Sequence, residues 1–88
     1  MNIVVHNYIM KDTIRKELIK TRLAEEIKNS GMTNTEIAKA IGVNVSLITQ
    51  FKKLLKLPSI TTLSKICEVI GADANYILGL VDNWYGSK

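Results

Sequence analysis

Glycines at positions 31, 42, 71 and 79 and the single proline at 58 cut residues 12–80 into five short segments. A chain punctuated this often cannot run as one long helix. Each segment carries apolar residues at helical rather than alternating spacing. In the first, Ile14, Leu18, Leu23 and Ile27 recur at near-helical intervals, with Asp12 as the expected cap and Ser30 and Gly31 as the stop. The second opens on Thr33, Asn34, Thr35 and Glu36. This is a capping box, in which a Thr hydroxyl accepts from the third helical amide and the Glu reaches back. It closes at Gly42. Asn44 caps the third, where Leu47, Ile48, Phe51, Leu54 and Leu55 form one apolar stripe. Pro58 forbids its continuation, and Ser59 opens a fourth helix carrying Ile60, Leu63, Ile66, Cys67 and Ile70. Asp73 caps a fifth through Leu78, before Gly79. Only residues 3–5 hint at alternation. Five helices on short connections predict a compact all-α domain.

With 88 residues the chain has room for one hydrophobic core, so residues 12–80 read as the domain, 1–11 as an N-terminal arm and 81–88 as a C-terminal tail bearing Trp84 and Tyr85. A composition of 47% hydrophobic and 23% charged residues excludes disorder as the overall state. One cysteine, Cys67, excludes a disulfide framework and a cysteine-based zinc cluster, and His6 has no companion ligand. Cys67 falls on an apolar face and reads as a buried, inert thiol. No apolar run approaches the ~20 residues that span a bilayer. The first residues place their charges after the apolar stretch and show no cleavage site, which predicts a cytoplasmic protein. No carboxylate pair, nucleophile–base set or phosphate-cradling loop is present. The expectation is no enzyme, no cofactor and no small-molecule substrate.

Residues 34–53 carry the most specific pattern. Two short helices crossing steeply need a small residue at the crossing, and Ala38 supplies it. Four positions later the turn needs a residue tolerant of left-handed backbone, here Gly42. Ile37, Ile41, Val43, Ile48 and Phe51 supply the apolar contacts within the angle. The set predicts a helix-turn-helix formed by the second and third helices, with Ala38, Gly42 and Ile48 as its structural positions.

From about residue 22 to residue 80 the sequence resembles the lambda-repressor and Cro-like helix-turn-helix domains, the Xre family. The resemblance rests on EIAKAIGV at 36–43, the step from Pro58 to Ser59, and IGADANYILGL at 70–80. It implies a five-helix DNA-binding domain, typically of a transcriptional regulator that binds its operator as a dimer. Two departures stand out. Asn34 replaces the usual Gln at the start of the second helix. Lys52, Lys53 and Leu54 replace a common Glu-Asn-Gly, and losing that glycine predicts that the third helix continues for another turn.

On this reading the third helix enters the major groove of double-stranded DNA. Asn44, Val45, Ser46, Thr49 and Gln50 are then its candidate base-reading residues. Thr33 and Asn34, at the amide end of the second helix, and Lys52, Lys53 and Lys56 are the candidate phosphate contacts. The net charge of +4 agrees with an anionic partner, and a second basic cluster lies between residues 11 and 22. A homodimer is expected, through the fifth helix and tail (Tyr76, Ile77, Leu80, Trp84) or through the arm at 3–10. The alternative is a protein-interaction module on the same fold, of antirepressor, co-repressor or antitoxin type. The Leu-rich, arginine-free third helix region would then meet a protein partner.

Overall fold

The computed structural model describes residues 11–82. Five helices follow one another: α1 (Asp12–Asn29), α2 (Asn34–Ile41), α3 (Val45–Lys52), α4 (Ile60–Ile70) and α5 (Ala74–Ile77). There is no strand among the described residues. The all-α, five-helix expectation holds. The alternation at 3–5, the first ten residues of the arm, His6 among them, and Trp84 and Tyr85 lie outside the described residues.

Four of the five starts follow from a capping side chain. Thr33 and Glu36 form the complete reciprocal box, with Glu36 N–H donating to Thr33 Oγ1 at 3.0 Å and Thr33 N–H to Glu36 Oε1 at 2.8 Å. Asn44, Ser59 and Asp73 accept from the amides of Ser46, Thr62 and Asn75. The first start differs from expectation. Lys11 occupies the cap without a side-chain bond, and Asp12 is the first helical residue. From there its carboxylate pairs with Lys16 at 3.3 Å instead of capping.

α2 packs on α3 and α4, α1 on α3 and α5, and α4 on α5. The shared core comprises Leu23 and Ile27 from α1, Ile37, Ala38 and Ile41 from α2, Ile48 and Phe51 from α3, Leu63, Ile66 and Cys67 from α4, and Ile77 from α5. Every buried residue described is apolar. The apolar stripes fail at three positions, one of them Leu55, which lies beyond the end of α3 and is 68% exposed. Ile14 is 55% and Ile60 87% exposed, each in the first turn of its helix and outside the packed face. Ile77, expected at a subunit contact, is fully buried instead.

The third helix does not continue past Lys52. Lys53 ends it, Leu54 takes the left-handed conformation (φ 63°), and the chain reverses. Leu55 N–H donates to Gln50 O at 2.9 Å and Leu54 N–H to Phe51 O at 3.1 Å. These are the paired bonds of a Schellman stop, built here on leucine where glycine is usual. They satisfy carbonyls that an extra turn would otherwise have used, and half-buried Leu54 keeps its side chain on the domain. A pair of variants isolates the backbone: Leu54→Gly and Leu54→Ala lose the same packing. In a left-handed residue Gly is the more stable of the two by about 1 kcal/mol. In a continuing helix the order reverses by a similar amount. Urea denaturation of the two proteins reads the sign directly.

The end of the domain is tied to α1 by two arginines. Arg22 Nη1 donates to Tyr76 O at 2.6 Å and to Val81 O at 3.0 Å, and the guanidinium lies 4.1 Å from the Tyr76 ring centre. Arg15 Nη1 donates to Leu78 O at 2.8 Å. Gly79 (φ 82°) lets the backbone pass close, since a Cβ there would come within 2.7 Å of Leu18 and 2.9 Å of Arg15.

Cys67 is buried as expected, and burial, then the Asp73 and Glu26 carboxylates, push its thiol pKa up. Burial, followed by Glu25 and Asp73, likewise raises the Glu26 carboxyl above its ordinary range. The folded state therefore holds this proton more tightly than the unfolded chain. Glu26 contributes most below the ordinary carboxylate range, and that contribution disappears as pH rises through its raised pKa. Glu26→Gln should then melt higher than the parent at pH 7, with the gain shrinking towards pH 4. A gain that persists unchanged in acid would show that charge at this position does not matter.

Candidate nucleic-acid interface

The α2–turn–α3 unit is held by backbone and packing together. Ala38 is 3% exposed at the crossing, and its carbonyl accepts both the Gly42 and Val43 amides. Gly42 adopts φ 75° and ψ 37°, the left-handed conformation that the spacing required. Ile37 and Ile48 are fully buried on either side of the turn. A polar bond reinforces this: Asn34 Nδ2, on the first residue of α2, donates to Thr49 Oγ1 on α3 at 3.2 Å. Thr49 Oγ1 in turn donates to Val45 O at 3.3 Å. Asn34 Oδ1 is buried without a partner. The Asn34 side chain is thus turned inward, between the two helices.

With its core side fixed by Ile48 and Phe51, α3 turns Ser46, Gln50 and Lys53 to the opposite side, at 100° per residue. Asn44, Val45 and Ser46 are exposed, and Thr49 and Gln50 half-buried. Val45 and Thr49 stand one turn apart along the edge beside α2, as the Asn34 bond to Thr49 shows. Asn44 spends its Oδ1 on the Ser46 amide, so it holds the helix start in place. Lys53 and Lys56 are exposed and Lys52 is half-buried. Three lysines thus border the far end of α3, and no acid lies between residues 44 and 57.

The amide end of α2 differs from what was anticipated. Thr33 uses both its hydroxyl and its amide in the capping box, and the Glu36 carboxylate already sits at that helix start. A phosphate would meet the remaining amides there, not the Thr33 side chain. The basic cluster at 11–22 is mostly engaged inside the molecule. Arg15 and Arg22 bind carbonyls, and Lys16 and Lys20 pair with Asp12 and Glu17, both at 3.3 Å. Reasoning along the sequence missed both arginine clasps. The only local trace was Arg on a helix face that also carries Leu18 and Leu23.

Among the described residues there is no group of three or more potential metal ligands. No described helix is long and apolar enough to cross a membrane. Comparison with curated proteins found no match, and comparison with solved structures found none. A family model described as helix-turn-helix matches residues 23–77, more than half of the chain and the whole of the α2–turn–α3 unit. The chain belongs to the lambda-repressor and Cro-like helix-turn-helix family, the Xre family, whose domains are DNA-binding regulators.

Proposed function

We propose that the protein is a sequence-specific transcriptional regulator of phage-repressor or Cro type, occupying an operator as a homodimer with α3 in the major groove. The carrying observation is the outward face of α3. Ser46, Gln50 and Lys53 lie on the side of α3 opposite its buried residues Ile48 and Phe51, and no acid lies between residues 44 and 57 of the chain. Gln50 suits bidentate pairing with adenine, and Ser46 suits either groove donor or acceptor. Asn44 and Thr49 act beside them, tied to the Ser46 amide and to Asn34. Lys52, Lys53 and Lys56 hold phosphates, together with the remaining backbone amides at the start of α2 and not the Thr33 or Asn34 side chains.

Dimerisation follows from size. An eight-residue helix reads only a few base pairs, so two copies about one DNA turn apart are needed to define one site. Leu80 (65% exposed) and Ile14 (55% exposed) offer apolar surface for the contact. A second reading draws on Leu55 and Ile60, 68% and 87% exposed at the α3–α4 connection. On that reading the fold binds a protein through this apolar surface.

Titrating binding to random duplex DNA against salt separates the two. A regulator of this kind loses affinity steeply, with a log–log slope of about −0.9 per phosphate neutralised. Binding that is absent at every salt concentration would favour the protein-interaction module. Sedimentation at micromolar concentration, with and without DNA, checks the dimer.

A further inference from the structure

We infer that residues 53–60 form a docking surface for an acidic protein segment with apolar anchors, and that this partner and DNA exclude one another. The inference rests on the DNA-binding reading above, because the lysines it uses are those assigned to phosphates. It adds the chemistry of a partner and a way for that partner to control DNA binding.

Leu55 and Ile60 are the two most exposed large apolar side chains among the described residues, and they stand at either end of one short connection. That connection is held at both ends. Leu54 N–H and Leu55 N–H donate to Phe51 O and Gln50 O, and Ser59 Oγ accepts the Thr62 amide at the start of α4. Leu54, Leu57 and Pro58 between them are half-buried. Leu55 and Ile60 are thus displayed from a fixed backbone, and a partner that covers them has little chain ordering to offset. Exposed apolar surface gathered in this way marks a contact. Charge identifies what makes it. From residue 37 to residue 67 the chain carries five lysines (39, 52, 53, 56 and 65) and no acid, and Lys53 and Lys56 lie exposed within the segment itself. Apolar anchors rimmed by one sign of charge select a partner that brings apolar side chains flanked by carboxylates. A phosphate backbone satisfies the lysines and leaves Leu55 and Ile60 without a counterpart. An anionic lipid surface needs apolar side chains that project ahead of the lysines, whereas the turn at Leu54 folds Leu55 back onto the end of α3. An acidic segment seated on Leu55 and Ile60 pairs with Lys53 and Lys56, and so covers cations that DNA requires.

The test selects binders to the full-length protein from a pool of random peptides, with counter-selection against the double variant Leu55→Ser with Ile60→Ser. Thermal melts confirm that this variant is folded, as two exposed positions allow. The expected peptides carry net negative charge and several apolar residues, and bind the double variant at least about tenfold more weakly than the parent. They should also displace random duplex DNA from the parent, while the double variant itself still binds that DNA. Enriched peptides that are neutral or basic overturn the inference, as does an acidic peptide bound together with DNA. So does a pool that yields no peptide dependent on Leu55 and Ile60. Two further results assign the surface elsewhere and overturn it equally. One is self-association of the parent that the double variant loses, which makes a second copy the occupant. The other is retention on phosphatidylcholine–phosphatidylglycerol vesicles that the double variant loses. If the parent binds no duplex at any salt concentration, the DNA-binding reading fails and the competition with it, and the peptides alone then decide the docking surface.

Discussion

Phe51→Ala is expected to destabilise the domain by about 3–5 kcal/mol, a large part of the 5–15 kcal/mol typical of whole domains. Phe51 is 1% exposed and is the largest fully buried side chain described. It sits on α3, which packs against both α1 and α2, so its ring fills the space that sets the height and tilt of that helix. Truncation leaves a cavity where α3 meets α1 and α2, whose buried residues are held by their own helices, with little scope for collapse. Gln50, the next residue towards the helix start, is half-buried on the opposite side, and Gln50→Ala should leave the unfolding free energy within about 0.5 kcal/mol of the parent. The contrast between adjacent residues is the test. A Phe51→Ala protein losing less than about 1 kcal/mol would mean that α3 is rotated from the position described.

The elements that local chemistry dictates were legible in the sequence. Thr33, Asn44, Ser59 and Asp73 each cap the helix they precede, because a short polar side chain beside free amides has few better partners. Gly42 and Gly71 adopt the left-handed conformation that stops α2 and α4. The end of α3 was not legible. Residues 52–57 lack the expected glycine and continue the apolar stripe, so periodicity extended the helix. Leu54 instead adopts the left-handed turn itself, while its side chain remains half-buried. The advantage of that burial is tertiary and leaves no mark on spacing. Ile60 shows the converse: it fits the α4 stripe and is nevertheless exposed, because periodicity cannot tell how far along a helix its partners reach.

The site divides in the same way. Ala38, Gly42 and Ile48 could be placed because the helix crossing admits only certain shapes at those positions. The roles of Asn34 and Thr49 depend on a bond across 15 residues, and those of Arg15 and Arg22 on clasps across 63 and 54. A basic residue that will bind a distant carbonyl looks the same in sequence as one left for DNA. Only the tertiary structure separates the engaged cations of α1 from the lysines beside α3.

That separation yields the largest expected effect on binding. Replacing Lys52, Lys53 and Lys56 together by Ala should weaken binding to any duplex a few hundredfold at about 0.1 M salt. It should also make the log–log salt slope shallower by about three units, since each phosphate contact contributes about 0.9 to that slope. The loss should fall alike on a selected site and on random DNA, because phosphate contacts fix position and carry no sequence information. The Leu54 turn matters to this outcome. It brings Lys56 back from the end of α3 instead of carrying it along a longer helix, and leaves Lys53 and Lys56 exposed on the same short segment. A control separates placement from total charge: Lys16→Ala with Lys20→Ala removes two cations already paired with Asp12 and Glu17 on α1. That double variant should bind nearly as the parent does. If it matched the triple variant per charge removed, long-range attraction by net charge would explain the binding, and the lysines at the end of α3 would lose their assigned phosphate contacts.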